Sequence, residues 1–381
     1  MPDTKLKRIL YIQYTNPAGY PPLEHSSRIL ADSGWQVLFL GTCDLARDPM
    51  RFPPHPNIAV RYMNFCQPGW RQKLHYFAFC LWVLCRAITW RPRWIYASDV
   101  LSCPAALALT WIPWLSVLYH EHDSPDAPPR GAFQRTVRWT RRKLAHHASL
   151  CVLPNAGRLA RFKTETGTDR QVFCVWNCPR TSDAASAASS DTGLRLYYHG
   201  AIGPDYVPYA LIEALAQLPD AVRLQVIGYE TVGSTGYSTQ VRELARRLGV
   251  ENRVEVHGAL PRLQLMNDCR RNDVGLAFTP LRTLDINHLS RAGASNKPFD
   301  YLACGLALLV SDLPDWRATY VDPGYALACN PEDPQSIARS IRRFLDDPSL
   351  ARTMGEKGRQ RILSDWNYET CFQPVLQCLQ S

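Results

Sequence analysis

The sequence predicts an α/β protein built from two Rossmann-like domains, and three observations lead to this fold class. Patterns typical of strands and helices alternate along all 381 residues, which favours parallel sheets with crossover helices. A chain of this length is long for one hydrophobic core, so two domains are expected. The polar stretch TSDAASAASSDTG at 181–193 lacks periodicity, and we expect a linker or a disordered loop there.

The apolar runs on both sides of this linker define the predicted elements. In the first set they predict strands at 9–14, 36–40, 58–62, 94–97, 116–119, 150–153 and 172–176. In the second set they predict strands at 195–198, 223–227, 253–256, 274–278 and 307–310. Helical patterns close the chain at 334–346, 349–363 and about 368–379. We therefore expect domains at 1–180 and 194–364, followed by a C-terminal segment at 365–381.

Cysteine usage and the N-terminal sequence indicate a cytoplasmic protein. The 13 cysteines are odd in number and scattered without a CxxC pair, so neither a zinc site nor a disulfide framework is predicted. We expect reduced and mostly buried thiols. The opening MPDTKLKRILYIQY passes from a charged start into a strand, which is not the pattern of a signal peptide.

A net charge of +9 calls for a partner or a solvated surface. Basic residues mixed with tryptophan suit an anionic membrane, and a solvated basic helix face is the alternative. Nucleic acid is disfavoured because no binding module is recognised. The apolar run at 75–90 contains Arg86 and is shorter than a membrane span, so it predicts a buried or membrane-touching helix. The basic residues and tryptophans that could face such a membrane are Trp70, Arg71, Trp82, Arg86, Trp90, Arg91, Arg93, Trp94, Arg130, Arg135, Arg138, Arg141, Arg142 and Lys143.

The segment SNKPFDYLACGLALLVSDLPDW at 295–316 is the most informative part of the chain. Ser295 or Asn296 can cap a helix that Gly305 ends, and a short apolar run then predicts a buried strand. A helix N-terminus attracts phosphate, and Lys297 adds a positive charge there. Asp300, one turn further, can accept hydrogen bonds from ribose hydroxyls. The alternative is an ordinary amphipathic helix whose Lys and Asp are solvated.

This segment resembles the nucleotide-sugar signature of retaining GT-B glycosyltransferases of family 4, P-[SN]-K-[LP]-[FY]-[ED]-Y-[ML]-A-x-G. The resemblance continues through YYHGAIGPD, LQVIG, VEVHGALPR, DVGLAF and the tail from 333, and is weaker in the first half, at HEHD and VWNCPR. It implies a GT-B fold, in which two Rossmann-like domains face a cleft and the helix in 365–381 crosses back to the first domain.

The resemblance also implies a donor site for a nucleotide-diphosphate sugar. It places Asp300 on the ribose, Lys297 at the donor phosphates, and the glycines Gly200 and Gly228 at strand ends beside the nucleotide. A tight turn leaving a strand is the alternative for Gly228. The loop at 15–22, with Gly19 and Tyr20, would approach the donor phosphates and the acceptor.

The motif HEHD at 120–123 follows a predicted strand, and three interpretations remain open. It could contribute to a metal site, although no further ligand is evident. It could be a structural turn. By the resemblance, His122 with Asp123 lines the reaction centre and bonds the hydroxyls of the donor sugar.

Two positions depart from the family pattern. GAIGPDYVPYA carries no phosphate-binding Arg or Lys, so Arg282 or Arg291 would have to replace it. The family's second acidic residue is expected near Ala292, and Asp285 does not have that spacing. The groups left to meet the sugar are Asn287, Ser295 and backbone N–H groups beside Gly293.

We therefore predict a retaining glycosyltransferase that moves a sugar from a nucleotide-diphosphate sugar to a glycan or lipid-linked acceptor in cell-envelope or exopolysaccharide synthesis. Its catalytic residues would be His122, Asp123 and Lys297, without a cofactor or metal. Peripheral contact with the inner face of an anionic membrane is expected, and no nucleic acid. The alternatives are a sugar-nucleotide epimerase and a non-catalytic sugar-nucleotide-binding or scaffold protein. The two departures from the family pattern favour the non-catalytic protein.

Overall fold

A computed structural model of the protein describes residues 7–45, 50–186 and 193–380. The chain divides into two compact units, Met1–Asn177 with Tyr368–Ser381 and Cys178–Asn367. We call them the N-terminal unit and the C-terminal unit. Residues 187–192 of the predicted linker lie outside the described residues.

The N-terminal unit is a seven-stranded, fully parallel sheet in the order β3-β2-β1-β4-β5-β6-β7. The strand order reverses beside β1, so the carboxyl ends of β1 and β4 flank the switch point where ligands of such sheets bind. Its strands are β1 Arg8–Ile12, β2 Gln36–Cys43, β3 Ile58–Asn64, β4 Trp94–Ser98, β5 Ser116–His120, β6 Leu150–Leu153 and β7 Val172–Cys174. Its helices are α1 Pro21–Asp32, α2 Trp70–Trp90, α3 Cys103–Leu109, α4 Gly131–His147 and α5 Ala156–Thr166.

The C-terminal unit repeats this topology with six parallel strands in the order β10-β9-β8-β11-β12-β13. Its switch point lies between β8 and β11. The strands are β8 Leu194–Ile202, β9 Val222–Glu230, β10 Val254–His257, β11 Val274–Ala277, β12 Ala307–Ser311 and β13 Ala326–Cys329. The helices are α6 Tyr209–Ala216, α7 Tyr237–Arg247, α8 Arg262–Cys269, α9 Ile286–Leu289, α10 Asn296–Ala303, α11 Pro314–Trp316, α12 Pro334–Asp346 and α13 Pro348–Ser364.

The last helix, α14 Tyr368–Gln380, completes the N-terminal unit. Its buried side chains Tyr368, Phe372, Val375 and Leu379 join the core on the α1 face of the sheet. A separate core on the opposite face is covered by α2, α3 and α4. This arrangement confirms the prediction that the C-terminal helix returns to the first domain.

Two sequence-based expectations need correction. The four-residue strand β13 was not predicted, although it pairs in parallel with β12. Two residues counted with the membrane-facing set are buried instead: Trp94 in the core on the α1 face and Arg141 in an ion pair with Glu121. Among residues 7–45, 50–186 and 193–380, no helix combines the length and apolar character needed to cross a bilayer. All 13 cysteines are thiols outside any disulfide.

Candidate active site

The donor-type signature folds as predicted. Helix α10 begins at Asn296, Pro298 lies in its first turn, and Gly305 follows its end with a φ of +78° that glycine tolerates. Ser295 occupies the N-cap position, but its side chain makes no capping hydrogen bond. The first N–H groups of α10 therefore keep their capacity to bind an anion.

Lys297 leans from α10 over Gly200, near the end of β8. A Cβ atom built on Gly200 would lie 2.6 Å from Lys297 Cε, and the φ of Gly200 is +122°. Glycine is therefore required at this position for the lysine to lie where it does. Lys297 Nζ faces two aromatic rings, 5.5 Å from the ring centre of Tyr198 and 4.9 Å from that of Tyr206.

Arg291 supplies a second cation at the same place. Its Cζ lies 4.8 Å from the ring centre of Tyr206, and its Nη1 donates to the Tyr206 hydroxyl at 3.1 Å. Within the described part of the chain, neither Lys297 nor Arg291 has a carboxylate at ion-pair distance. The two cations thus share one aromatic ring beside an uncapped helix N-terminus, an arrangement that attracts a polyanion.

Arg282 does not join this cluster. It lies exposed between β11 and α9 and makes no hydrogen bond or ion pair with any residue that the structure describes. Asn287 lies in α9, where its backbone N–H donates to Asp285 at 2.7 Å. Of the two arginines that the sequence left open, the geometry favours Arg291.

Burial and the neighbouring Arg291 charge lower the pKa of Lys297 to about 7, while Asp300 opposes the shift. A lysine amine that is half-protonated near neutral pH can take up a proton when an anion binds beside it. Such a shift is typical of a functional site rather than of a solvated lysine.

Asp300 lies deeper and is already paired. Its carboxylate receives two hydrogen bonds from Arg262, at 2.9 Å and 3.2 Å, and lies 3.4 Å from His199 Nε2. Burial opposes ionisation, but Arg262 and His199 outweigh it and hold the pKa of Asp300 well below its usual value. The solvated alternative for Asp300 is therefore wrong, and its assignment to the ribose stays a prediction.

Gly228, in contrast, has a packing role. A Cβ atom there would lie 1.8 Å from the Gly200 carbonyl oxygen of the paired strand β8. Glycine is thus required for the close approach of β8 and β9. Asn296 Oδ1 is buried without a hydrogen-bond partner among the described residues and remains available to a ligand.

In the N-terminal unit, His122 follows β5 and is held tightly. Its backbone N–H donates to Asp99 Oδ1 at 2.9 Å, and its Nε2 lies 3.1 Å from Ser98 Oγ. The ring of Tyr20 lies 5.5 Å from the imidazole, centre to centre. Burial lowers the pKa of His122 to about 4, so the ring is neutral at neutral pH.

The Asp123 carboxylate contacts Arg158 rather than the His122 ring. Arg158 Nη1 lies 2.9 Å from this carboxylate, and Arg158 also donates to the His122 carbonyl. Ser98 holds the ring instead. Asp123 therefore fixes the backbone of the motif through Arg158.

Glu121 is committed to structure, which disfavours the metal interpretation of the motif. Arg141 donates to its two oxygens at 2.5 Å and 2.8 Å, and Tyr119 and Ser124 donate as well. His120 is hydrogen-bonded to Tyr96. In residues 7–45, 50–186 and 193–380, no cluster of three His, Cys, Asp or Glu side chains is placed to hold a metal ion.

The predicted loop after β1 forms a short 3-10 turn, Pro17–Gly19, capped by Asn16. A Cβ atom on Gly19 would meet only Met50 Cε, at an ordinary 3.6 Å, so glycine is not required for packing there. Beside this loop, the carboxyl ends of β1 and β2 border a cavity of about 600 Å³ whose lining includes Tyr14, Asn16 and Leu101. This cavity could accommodate a small ligand.

Asp99, Arg262 and His199 were missed from the sequence. Asp99 adopts a φ of +61°, which is unusual for a residue other than glycine and is often found at functional sites. Burial, with the charge of Asp123, raises the pKa of Asp99 to about 7. Only the position of Asp99 after a strand could have drawn attention to it.

Comparisons with known proteins agree with this fold. Residues 209–377 match a family model described as Glycosyl transferase-like. The chain is 23% identical to glycogen synthase of Mycobacterium tuberculosis, over 97% of this chain and 94% of that protein. It is 26% identical to a GDP-mannose-dependent monoacylated alpha-(1-6)-phosphatidylinositol monomannoside mannosyltransferase of Corynebacterium glutamicum, over 47% and 44% of the two chains. The structure of Anabaena Alr3699/HepE in complex with UDP and glucose superposes with a TM-score of 0.72 at 19% identity, covering 98% and 99%.

The chain has the GT-B fold, and its sequence matches support a glycosyltransferase. Among such enzymes, the chain resembles the family-4 glycosyltransferases that use nucleotide sugars, as its signature segment predicts.

Proposed function

We propose that this glycosyltransferase moves a sugar, with retention of anomeric configuration, from a nucleotide-diphosphate sugar to a glycan or lipid-linked acceptor. The observation that carries the proposal is the pair Lys297 and Arg291, which share the Tyr206 ring beside the uncapped N-terminus of α10. A bound diphosphate would supply the negative charge that balances these two cations. The proposal places the enzyme in cell-envelope or exopolysaccharide synthesis, with peripheral contact at an anionic membrane.

The chemistry follows from stabilising the leaving group. As the bond from the anomeric carbon to the phosphate oxygen breaks, its electron pair moves onto the diphosphate, where Lys297, Arg291 and the α10 N–H groups oppose the growing charge. The acceptor hydroxyl oxygen bonds to the anomeric carbon from the same face, and its proton passes to the leaving phosphate oxygen. The proposal therefore requires no metal and no strong base.

The proposal gives His122 a place at the reaction centre. As a neutral imidazole it offers one donor and one acceptor to sugar hydroxyls without adding charge. Ser98 and Asp99 hold its orientation, and Asp123 with Arg158 fixes the backbone around it. Preorganised groups of this kind contribute most when they meet the transition state.

Two relatives support the donor and acceptor classes. Alr3699/HepE was crystallised with UDP and glucose, and the mannosyltransferase is named for GDP-mannose and a phosphatidylinositol mannoside. A uridine or guanosine diphosphate sugar is therefore the donor class to test first. A lipid-linked acceptor would suit the basic first half of the chain.

Calorimetry with UDP-glucose and GDP-mannose tests the donor assignment. Lys297→Ala should weaken binding of the better donor at least about tenfold, because a charge-assisted contact to phosphate contributes roughly 1.5–3 kcal/mol. Lys357→Ala is the matched control, since Lys357 also lies over a tyrosine ring, 5.9 Å from the centre of Tyr325, on α13. Wild-type affinity in Lys297→Ala would refute the assignment.

Retention is tested separately by NMR of the first product formed. The sugar should keep the anomeric configuration that it has in the donor, and an inverted product would exclude this mechanism. Slow release of the nucleotide from the donor in the absence of acceptor would show the catalytic function without an identified acceptor.

A further inference from the structure

Helix α2 presents an apolar stripe that none of the described residues of the N-terminal unit covers. Trp70 and Phe77 are 68% and 63% exposed, and Leu74, Leu81 and Ile88 are exposed as well. These positions recur at helical spacing along one side of α2, whereas Tyr76, Phe79, Val83 and Ala87 on the other side are buried in the core. A contiguous apolar stripe of this size marks an interaction surface.

Exposed tryptophans also lie on neighbouring elements that cover the same face of the sheet. Trp111 and Trp114, in the loop after α3, are exposed, and the guanidinium of Arg91 lies 5.3 Å from the ring centre of Trp114. Trp139 on α4 is exposed too. Indole rings are enriched at the level of lipid headgroups because one edge is polar and the body is apolar.

The charge around the stripe has one sign. Residues 49–98 contain no Asp or Glu, and their basic side chains are Arg51, Arg61, Arg71, Lys73, Arg86, Arg91 and Arg93. Arg71, Lys73, Arg91 and Arg93 are exposed at the two ends of α2. A positive, aromatic and apolar surface complements an anionic bilayer rather than a second copy of itself, because two like-charged faces would repel each other.

Two adjoining cavities open beside the first turn of α2. The cavity of about 600 Å³ at the ends of β1 and β2 shares Tyr14, Gln72 and Leu101 with a second one of about 410 Å³. Trp70 and Lys73 line this second cavity, and Trp70 also belongs to the exposed stripe. An amphiphilic molecule could pass from the stripe into these cavities with its apolar part still covered.

We infer that the α2 stripe docks this enzyme on the surface of an anionic lipid bilayer, so that the adjoining cavities receive the head of a lipid-linked acceptor. The stripe lies in the headgroup region, and the basic residues at the ends of α2 contact lipid phosphates. The docking gives the membrane contact of the proposed function a defined surface, and the choice of a lipid-linked acceptor rests on that function, whereas the vesicle experiment is independent of donor binding.

Co-sedimentation with vesicles tests the docking. Wild-type protein should bind vesicles of phosphatidylglycerol and phosphatidylcholine at low salt, bind less at high salt, and bind pure phosphatidylcholine weakly. Trp70→Ser with Phe77→Ser should lower the partition coefficient at least about tenfold, because two apolar side chains lose their burial in the interface. Arg71→Gln with Lys73→Gln should lower it about thirtyfold on anionic vesicles, at ~1 kcal/mol for each charge.

Matched changes on the C-terminal unit control for loss of apolar surface and of charge. Leu263→Ser alters a side chain that is 74% exposed on α8, and Arg246→Gln with Arg247→Gln removes two exposed charges from α7. Both variants should bind vesicles as the wild type does. Melting temperatures close to that of the wild type would show that the α2 variants fold, as expected for exposed positions.

Other outcomes would overturn the docking. No binding to anionic vesicles at low salt would do so, as would controls on α7 and α8 that lose as much binding as the α2 variants. A dimer in light scattering that Phe77→Ser dissociates would assign the stripe to a second copy instead. Lys297→Ala should still bind vesicles, so a failed donor assignment and a failed docking surface give different results.

Discussion

Raising the pH from 6 to 8 should weaken donor binding about tenfold, because Lys297 loses its proton across this range. Its ammonium lies over the Tyr198 and Tyr206 rings beside Arg291, and burial together with that second cation lowers its pKa to about 7. The bound diphosphate favours the charged form. Binding therefore raises the pKa of Lys297 and takes up a proton near neutral pH.

The magnitude follows from the charged fraction of Lys297. With a pKa of about 7, the side chain is roughly nine-tenths protonated at pH 6 and one-tenth at pH 8, so affinity should fall about tenfold, or ~1.4 kcal/mol. The other charged groups of the cluster keep their state. Arg291 remains a cation, and Asp300, whose pKa is held low by Arg262, remains an anion.

Isothermal titration of a nucleotide sugar at three pH values measures this effect. Repeating the pH 7 titration in buffers with different ionisation heats should show uptake of about half a proton, the unprotonated fraction of Lys297. Lys297→Arg should bind with little dependence on pH, because a guanidinium does not titrate in this range. A flat wild-type profile, or no proton uptake at pH 7, would refute the reasoning.

Three further outcomes can be checked on single variants. Asp300→Ala removes the buried partner of the Arg262 guanidinium and leaves it paired with the more exposed Asp183, so the free energy of unfolding in urea should fall by roughly 1–3 kcal/mol. An unchanged midpoint would contradict a contribution of the buried pair to stability. His122→Ala should lower kcat more than it weakens donor binding. A kcat equal to that of the wild type would show that His122 has only a structural role. Arg141→Met leaves the fully buried Glu121 carboxylate without its cation and should lower the free energy of unfolding by roughly 3–5 kcal/mol. Calorimetric melting would detect this loss.

Local features of the fold could be predicted from the sequence. The segment around α10 and β12 was found because its cap, apolar spacing and glycine stop all lie within a few residues of one another. β13 was missed, since four residues reading ALAC show no more than a short apolar run. Its identity as a strand comes from pairing with β12.

The partners in the candidate site could not be predicted in the same way. Arg262 reaches Asp300 across 38 positions of sequence, and Arg291 meets Lys297 only through the ring of Tyr206. Such contacts depend on tertiary packing and leave no periodic signal. The strained backbone of Asp99 is likewise invisible, because an aspartate after a strand is common in loops.

The place of α14 in the N-terminal unit has a consequence for biosynthesis. The strands of the first sheet are translated early, but the helix that covers one face of this sheet is translated last. The covering side chains are Tyr368, Phe372 and Leu379. Residues 178–367 must be translated in between, and 190 residues at ~5–20 residues per second take roughly 10–40 s. During that interval the nascent chain carries an uncovered apolar surface at the ribosome, which a holding chaperone would recognise. A message truncated before codon 368 would leave that surface permanently exposed and mark the product for degradation.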